Sequence, residues 1–268
     1  MAGTTKAKST GSTATEAPGV KSARRAVELI EALAGTHEWL NLSDLHQLTG
    51  FPRSSLHGLV RTLQDTGWVE TDRAGTAYRL GVRALTAGTA YLDHDPSVPY
   101  ATQTLENIRA TSGFTAHFAR RFGTSVVYLE TRESRQSTML ISRVGRTLPA
   151  YATALGKALL AELTDDEIAG MFPAKLPPLT KHTVPTRDAL IAQCAQIREE
   201  GYALETEEGT TGVRCAAAVI PYRIPASDAI SCSMPIDSAS DADVKRVAGL
   251  LVEATTELGR SLRSKGIR

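Results

Sequence analysis

Residues 40–68 read LNLSDLHQLTGFPRSSLHGLVRTLQDTGW, and this stretch decides the fold of the N-terminal part of the chain. Ser43 is predicted to cap a short first helix, because its hydroxyl can accept a hydrogen bond from an otherwise unpaired backbone N–H. Residues 49–52 break that helix, and Pro52 suits the first position of a second one, where its missing N–H costs nothing. The second helix carries apolar residues at the i, i+3, i+4, i+7 spacing of one buried stripe, namely Leu56, Leu59, Val60 and Leu63.

The opposite face of this second helix is polar. At about 100° per residue it presents Ser54, His57, Gly58 and Arg61, with Arg53 on its flank. Two short helices with a glycine in the turn between them, the second showing hydroxyls and cations outward, are typical of a helix-turn-helix that reads DNA. A helical hairpin with a solvated polar face is also common in α-rich domains that do not bind DNA. The residues that follow the hairpin are therefore needed to distinguish the two.

Two extended segments follow, at residues 68–71 and 77–80, and a turn at residues 72–76 joins them. Gly67 is placed to end the preceding helix. This order predicts a winged helix-turn-helix, with Arg73 at the tip of the wing, where it would contact a phosphate or the minor groove. We therefore expect two groups of DNA contacts. Base-reading contacts in the major groove are predicted for Ser54, Ser55, His57 and Arg61, and phosphate contacts for Arg25, Arg53 and Arg73.

Composition places limits on the remaining possibilities. The chain has 268 residues, enough for two domains, and 42% of them are hydrophobic. Its net charge of +1 gives no global bias toward nucleic acid, so cations for DNA must be concentrated locally. The widely spaced Cys194, Cys215 and Cys232 suggest neither a disulfide framework nor a structural zinc site. We expect a cytoplasmic protein, because the chain shows no signal peptide and no apolar run of the roughly 20 residues that span a bilayer.

The domain organisation follows from the changes in pattern along the chain. Residues 1–20 are predicted to be a disordered tail, residues 21–81 a winged helix-turn-helix domain, residues 82–95 a linker helix and residues 96–268 a mixed α/β domain. The fold class is therefore α+β. We take the linker helix as the connection through which the second domain can move the first.

In the second domain, helices are predicted at residues 97–112, 148–163 and 241–262, and strands at 114–121, 124–131, 139–144, 202–205, 215–222 and 229–234. Thr164 and Glu167 form the capping box of a further short helix. Thr186 is predicted to cap another helix, and Gly201 to close it.

Several short segments, taken in their order and spacing, resemble the IclR-type bacterial transcription regulators over nearly the whole chain from Arg24 onward. They are residues 25–27 (RAV), 50–55 (GFPRSS), 78–81 (YRLG), 154–158 (ALGKA), 198–203 (REEGYA) and 212–217 (GVRCAA). The resemblance implies a winged-helix DNA-binding domain, a linker helix and a GAF-like effector-binding domain, assembled as dimers or tetramers. It implies a ligand-responsive regulator, repressor or activator, that binds a pseudo-palindromic operator on double-stranded DNA. It implies no catalysis and no cofactor.

By the same resemblance, one pocket in the second domain would bind a small-molecule effector. Its expected apolar lining is Leu140, Leu148, Ala154, Leu155, Val213 and Cys215, and its expected polar groups are Glu205, Ser231 and Ser233. A helix that begins at Thr153 or Ala154 would offer free backbone N–H groups to a carboxylate. The effector is therefore predicted to be a small organic acid, with aromatic acids included, as in the branch that controls aromatic-acid catabolism. Plain core packing remains the alternative role for Leu140 and Val213.

Gly58 departs from the family pattern, because members often carry a basic residue there. A glycine inside a helix costs about 1 kcal/mol relative to alanine. Either the DNA contacts shift to Arg53, His57 and Arg61, or the backbone itself approaches the DNA.

Enzyme functions find little support in the sequence. Residues 151–158 resemble a phosphate-binding loop at Gly156-Lys157, but Tyr151 and Ala158 occupy two positions that the motif requires to be glycine and Ser/Thr. Cys215 with His117 or His182 would be a nucleophile and base of a hydrolase, yet no local signature supports this. The six histidines show no metal-ligand spacing, so no metal is expected. The main alternative is a GAF-like small-molecule sensor that acts through protein partners.

Overall fold

A computed structural model of the chain describes residues 19–135 and 144–268. The chain divides into two compact units, Met1–Thr89 and Ala90–Arg268. Within the described residues, no helix is both long and apolar enough to cross a membrane.

The N-terminal unit is a small helical domain with a three-stranded antiparallel sheet of order β1-β3-β2. Its elements are α1 (Lys21–Ala34), β1 (Leu40–Asn41), α2 (Leu42–Thr49), α3 (Arg53–Asp65), β2 (Val69–Thr71) and β3 (Ala77–Leu80). The apolar stripe of α3 packs against α1 and α2 in one core that contains Leu29, Leu33, Leu45, Phe51, Leu56, Val60 and Leu63. The predicted winged helix-turn-helix is therefore confirmed as an arrangement of helices and strands.

Two predicted helix starts in this unit were wrong by one or two residues. Asn41, not Ser43, caps α2, because its Oδ1 accepts hydrogen bonds from the N–H groups of Ser43 (2.7 Å) and Asp44 (3.1 Å). The Asp44 carboxylate accepts the Asn41 N–H in return and completes a capping box. Pro52 is the N-cap of α3 with extended backbone, and the helix begins at Arg53.

The helix α4 (Val82–His94) lies where the linker helix is predicted. The boundary between the two compact units falls inside it, after Thr89. None of its residues is buried, and Val82, Leu85 and Tyr91 each expose half or more of their surface. The helix thus presents apolar side chains that the described part of the chain does not cover.

The C-terminal unit is built on a six-stranded antiparallel sheet of order β6-β5-β4-β9-β8-β7. The strands are β4 (Thr115–Phe122), β5 (Ser125–Arg132), β6 (Thr147–Pro149), β7 (Ala203–Thr206), β8 (Val213–Val219) and β9 (Asp228–Pro235). The helices are α5 (Val98–Ser112), α6 (Ala154–Leu160), α7 (Asp165–Met171), α8 (Arg187–Glu200) and α9 (Asp241–Ser264). The sheet separates two cores: α5 and α9 cover one face, and α6 and α8 pack over the other.

The predicted single helix over residues 148–163 was wrong. Leu148 pairs with Val126 in the sheet as part of β6, a 3₁₀ turn follows at Ala150–Ala152, and only Ala154–Leu160 is α-helical. Thr153 has extended backbone and caps α6 by accepting the Gly156 N–H on Oγ1 at 3.0 Å. The segment is rich in alanine and leucine, which favour a helix, so its composition did not reveal the break. Most of the strand predicted at residues 139–144 lies outside the described residues.

The predicted helix caps of the C-terminal unit are confirmed. Thr164 and Glu167 form a reciprocal capping box at the start of α7. Thr186 accepts the Ala189 N–H at the start of α8, and Gly201 ends that helix with a left-handed φ of 78°. These local signals hold because both partners lie within one turn of each other.

Candidate nucleic-acid interface and ligand cavity

The exposed face of α3 is the first candidate site. Ser54, His57, Gly58 and Arg61 are all exposed along it, and Arg53 is exposed at its start. Four of the seven predicted DNA contacts thus share one solvent-facing surface. A helix with this surface can enter the major groove, where arginine, histidine and serine side chains meet base edges.

Three of the predicted contacts also hold the helices together. Arg25 is half-buried on α1, with its guanidinium carbon 5.1 Å from the centre of the Phe51 ring. It donates from Nη1 to Ser55 Oγ at 3.3 Å, so the half-buried Ser55 hydroxyl faces α1. Arg53 donates from Nη2 to Ser43 Oγ at 3.0 Å and links α3 to α2. These contacts fix the start of α3 before any DNA is present.

The wing is a tight turn organised by Asp72. Its Oδ1 accepts the backbone N–H groups of Thr76 (2.8 Å) and Ala77 (3.1 Å), and these hydrogen bonds lower the pKa of the Asp72 carboxyl. Gly75 takes a φ of +70°, which glycine adopts without strain. Arg73 is consequently exposed at the tip of the turn, where the sequence places a phosphate or minor-groove contact.

Gly58 lies in the middle of the exposed face of α3. Apart from its chain neighbours and the backbone of its own helix, a Cβ atom added there would meet no protein atom within 4 Å. Packing within the chain therefore does not require a glycine at this position.

The second candidate site is a small cavity between the sheet and the start of α6, with a volume of about 20 Å³. Ligand pockets usually have about 300–1,000 Å³, so the walls must move apart before a molecule larger than a water can enter. The structure brings eight of the nine predicted effector residues to its wall: Leu148, Ala154, Leu155, Glu205, Val213, Cys215, Ser231 and Ser233. The ninth, Leu140, lies outside the described residues.

Four further residues line this cavity that sequence reasoning did not assign to it: Tyr128, Thr153, Gly209 and Thr210. Thr153 could have been included, because the predicted helix start already placed it beside the pocket. Gly209 approaches the 3₁₀ turn so closely that an added Cβ would lie 2.7 Å from the Ala152 carbonyl oxygen. Such loop contacts have no periodic pattern in the sequence.

Glu205 is the carboxyl group that lines this cavity, and only 6% of its surface is exposed. Burial raises the pKa of its carboxyl and outweighs the N–H of Glu208 and the thiol of Cys215, which hydrogen-bond to it and favour the anion. The nearby Glu208 carboxylate adds to the increase, and Lys157 opposes it. The cavity therefore contains an acid that takes up a proton more readily than an exposed glutamate.

Ser231 lines the cavity with 1% of its surface exposed. A serine hydroxyl can both donate and accept a hydrogen bond, so Ser231 is a polar group that a bound molecule would contact there.

The glycine and lysine that resemble a phosphate loop serve the fold. Lys157 is 1% exposed and forms an ion pair with Glu208, whose other carboxylate oxygen accepts the Val184 N–H at 3.2 Å. An added Cβ at Gly156 would lie 2.1 Å from the Ala150 carbonyl oxygen. The helix α6 has only seven residues, so its dipole is small and its side chains carry more of any ligand recognition than predicted.

The two histidines considered as bases for Cys215 lie in different places. His117 Nε2 is 3.1 Å from Ser233 Oγ on the sheet, and His182 is half-exposed beside Glu207. Within residues 19–135 and 144–268, no cluster of three or more His, Cys, Asp or Glu side chains could hold a metal ion.

A buried ionic cluster lies at the end of α4 and was not predicted. Arg120 on β4 donates from Nε and Nη2 to the two carboxylate oxygens of Asp228 on β9, each at 2.7 Å, and Asp228 has no exposed surface. The guanidinium also donates to Asp95 and, at 2.8 Å, to the Tyr91 hydroxyl near the end of α4. Tyr222 donates its hydroxyl to Asp228, and burial beside that carboxylate raises the pKa of Tyr222 to about 12.

Both parts of the chain match family models. Residues 22–73 match the IclR helix-turn-helix domain, and residues 89–260 match the C-terminal domain of the bacterial transcriptional regulator IclR. The HTH-type transcriptional regulator XynR of Escherichia coli K12 is 31% identical over 247 residues, which cover 91% of this chain and 98% of that protein.

Solved structures share the whole fold. A transcriptional regulator from Rhodococcus sp. RHA1 is 27% identical, with a TM-score of 0.74 over 92% of this chain and 99% of that one. An IclR homologue from Microbacterium hydrocarbonoxydans, solved with 4-hydroxybenzoate, is 21% identical, with a TM-score of 0.74 over 91% of this chain and 100% of that one.

Proposed function

The chain belongs to the IclR family of bacterial transcriptional regulators, and from this premise we propose which of its residues read DNA and which bind its effector. It is a DNA-binding transcription regulator and not an enzyme. We propose that the exposed face of α3 enters the major groove and that Arg73 contacts the DNA backbone or the minor groove beside it. We place this activity in the cytoplasm, where the bacterial chromosome lies.

The observation that carries the DNA-reading proposal is the exposed row of Ser54, His57 and Arg61 on α3. Arg25 on α1 and the Arg53 contact to α2 hold the start of that helix, so the row has a fixed orientation within the domain. Arg25 and Arg53 keep their proposed role at phosphates, since each guanidinium has several donors and only some are used within the chain.

Replacing Arg61 with alanine is expected to weaken binding to the operator by about 1–3 kcal/mol, or roughly 5- to 150-fold, if Arg61 reads a base. Binding to random DNA should change little. Fluorescence anisotropy with both DNAs at one salt concentration measures the two effects. An equal loss on both DNAs would show that Arg61 contacts only phosphate. Arg61→Lys is the matched control, because it keeps the charge but lacks the planar fork that reads guanine.

Footprinting on the DNA upstream of the protein's own gene tests the regulator as a whole. Protection of a pseudo-palindromic site at low ionic strength is expected, since phosphate contacts strengthen as salt falls. Protein that protects no site in this region, with or without candidate acids, would instead favour a sensor that acts through protein partners.

The effector is proposed to be a small organic acid in the cavity of the C-terminal unit. Ser231 and Ser233 supply hydroxyls, while Leu148, Leu155 and Val213 supply an apolar wall that an aromatic ring can contact. The 4-hydroxybenzoate complex of the Microbacterium hydrocarbonoxydans homologue makes that acid a reasonable first probe. Whatever acid shifts the DNA affinity must, by thermodynamic linkage, bind the free and DNA-bound protein with the reciprocal preference.

Acid binding is expected to strengthen as the pH falls. Protonation of Glu205, whose pKa is raised by burial, removes a negative charge that would repel a ligand carboxylate. The affinity should rise by up to about tenfold per pH unit as the pH falls toward the pKa of Glu205. Isothermal titration of 4-hydroxybenzoate between pH 5.5 and pH 8 measures the slope.

Glu205→Gln is the control for this pH dependence. It keeps a carbonyl oxygen for the Glu208 N–H but has no charge, so its affinity should be high and nearly constant with pH. The other ionisable groups near Glu205 are Cys215 on β8, Glu208 in the following loop and Lys157 on α6. A slope that persists in Glu205→Gln would assign the proton to one of them.

We propose that the regulator is a homo-oligomer, a dimer or a dimer of dimers. Val82 and Leu85 expose large apolar surfaces on α4, which favours contact with a second copy. A dimer also suits a pseudo-palindromic operator, because two-fold protein symmetry matches two half-sites. Analytical sedimentation of the Val82→Lys, Leu85→Lys double variant and of the parent protein compares their oligomeric states directly.

A further inference from the structure

The helices α3 and α4 meet at a close junction, although the wing separates them in the sequence. After the wing, the Gly81 N–H donates to the carbonyl oxygen of Trp68 at 2.8 Å. A Cβ added at Gly81 would lie 2.4 Å from the carbonyl oxygen of Gly67 and 2.9 Å from the carbonyl carbon of Trp68. Gly67 and Trp68 belong to the turn after α3, and Gly81 directly precedes α4. The backbones at the two helix ends therefore contact each other with no room for a side chain.

Hydrogen bonds at this junction satisfy the open end of each helix. The last carbonyl groups and the first N–H groups of a helix have no partner within it. Arg83, in the first turn of α4, donates from Nη1 to the carbonyl oxygen of Thr66, the C-cap of α3, at 3.0 Å. In the other direction, the Val82 N–H at the start of α4 donates to Glu70 Oε1 on β2 at 3.2 Å. The dipoles of the two helices favour this placement of a cation at the end of α3 and an anion at the start of α4.

Glu70 is held in place by a second set of contacts. It lies opposite Arg79 in the wing, and its Oε2 accepts Arg79 Nε at 3.2 Å and Nη2 at 3.0 Å. The Arg79 guanidinium carbon is 4.5 Å from the centre of the Trp39 ring. The carboxylate that accepts the first N–H of α4 is therefore fixed by contacts on both strands of the wing.

The helix α4 is attached to the N-terminal unit through its first turn. Within the described part of the chain, its hydrogen bonds to other elements of this unit come from Val82 and Arg83. Residues 85–89 are all exposed, and the unit ends at Thr89. The direction in which α4 leaves the DNA-reading unit is thus set at the junction.

We propose that Glu70 and Arg83 are positioning residues for DNA reading: they join α3, the wing and the first turn of α4 into one rigid body, so that α4 sets the spacing of the two α3 helices in a dimer. This inference rests on the proposed DNA-reading face of α3 and on the proposed dimer contact at α4. It names the residues that transmit the direction of α4 to the DNA-reading face.

The length of α3 shows why a rigid junction matters. The helix has 13 residues and is about 20 Å long. Its junction with α4 is at its C-terminal end, whereas Ser54 and His57 lie near its N-terminal end. A tilt of about 10° at the junction moves that end by about 3.5 Å, close to the ~3.4 Å between successive base pairs. A junction that allows such tilts cannot distinguish half-site spacings that differ by one base pair.

Loss of the junction should leave the fold intact. The side chains of Glu70 and Arg79 are 39% and 55% exposed, and exposed ion pairs contribute little to stability. The Glu70→Ala, Arg83→Ala double variant can therefore be examined as a folded, full-length protein. Lys21→Ala, Glu31→Ala is the matched control, because it also removes one cation and one anion, both exposed on α1. If the double variant does not fold, Glu70→Gln and Arg83→Ala alone report on the same contacts.

The first test needs neither DNA nor a ligand. Hydrogen–deuterium exchange of the full-length protein is measured by mass spectrometry on peptides that cover residues 82–89. The double variant should exchange about tenfold faster there than the parent protein, because Val82 loses its acceptor and Arg83 its bond to α3. The control variant should exchange like the parent. Equal exchange of these peptides in the double variant and the parent would overturn the proposed junction.

The second test measures the preference for half-site spacing. The operator protected upstream of the protein's own gene is compared, by fluorescence anisotropy, with versions that have one base pair more or fewer between the half-sites. The parent should prefer the native spacing by at least about tenfold, and the double variant should reduce this preference to within about threefold. Arg83→Lys, which keeps a donor for Thr66, should retain most of it. An unchanged preference in the double variant would refute the positioning role.

The ratio between operators separates positioning from simple contact. If Arg83 only bound a phosphate, its loss would weaken all three operators equally and leave the ratio unchanged, which contradicts the proposal. A parent protein that binds all three spacings equally would contradict it as well. If the parent protein binds no operator, the DNA-reading function fails, while hydrogen exchange at residues 82–89 still decides whether Glu70 and Arg83 hold the junction.

Discussion

Replacing Asp228 with alanine is expected to lower the free energy of unfolding of the C-terminal unit by about 3–5 kcal/mol. Asp228 has no exposed surface and binds both Nε and Nη2 of Arg120. Among the described residues, its removal leaves Asp95 as the one carboxylate paired with the largely buried Arg120 guanidinium, and it removes the acceptor of the Tyr222 hydroxyl. Removing one partner of a buried ion pair is costly, because the other charge stays away from water without compensation.

The two tryptophans make this effect measurable. Trp39 and Trp68 both belong to the N-terminal unit, so tryptophan fluorescence follows that unit while circular dichroism follows the whole chain. In urea, the dichroism transition of the C-terminal unit should move to lower denaturant and the fluorescence transition should not. Asp241→Ala is the matched control: Asp241 accepts from Arg214 at 2.8 Å but is 92% exposed at its side chain, so its loss should cost under about 1 kcal/mol. Equal shifts for the two alanine variants would contradict this account of the cluster.

Replacing Gly156 with alanine is expected to cost about 3 kcal/mol, at the upper end of the usual range for overpacking, and to abolish effector binding. The added Cβ would lie 2.1 Å from the carbonyl oxygen of Ala150 and 2.3 Å from its Cα. These are backbone atoms, so no side-chain rotation relieves the clash, and α6 must move away from the 3₁₀ turn. That movement displaces Ala154 and Leu155 from the cavity wall.

Gly249→Ala is the control for this substitution. Gly249 lies within α9, where an added Cβ meets no atom within 4 Å, so alanine should stabilise the helix by up to about 1 kcal/mol. Thermal unfolding of both variants, with 4-hydroxybenzoate titration of each, separates lost stability from lost binding. If Gly156→Ala unfolds at the same temperature as the parent protein, the 3₁₀ turn moves aside at a lower cost than its backbone contacts imply.

Much of the N-terminal unit was predictable because its signals are local. The stripe of Leu56, Val60 and Leu63, the turn at Gly67 and the short wing all follow from periodicity and turn chemistry. The error at Ser43 arose because Asn41 and Ser43, two residues apart, are both residues that are preferred at the N-cap of a helix. Asn41 is the N-cap because it is the last residue of β1, directly before the helix. A strand of two residues leaves no pattern in the sequence.

The C-terminal unit was predicted less fully, because its decisive contacts join distant residues. Arg120 pairs with Asp95, which lies 25 residues earlier, and with Asp228, which lies 108 residues later. No spacing in the sequence predicts contacts at such separations. The break at Thr153 follows from the pairing of Leu148 with Val126, which only the assembled sheet provides. The eight cavity residues were named from the family resemblance, not from the pattern, and the structure brings them to one wall.

The empty space above Gly58 has a consequence for how such regulators diversify. A Cβ added there meets no atom within 4 Å apart from its chain neighbours and the backbone of its own helix, and every residue except proline favours a helix more than glycine does, by up to about 1 kcal/mol. If the exposed face of α3 reads bases as proposed, a duplicated gene can change at this one codon and acquire other target promoters while the fold keeps its stability.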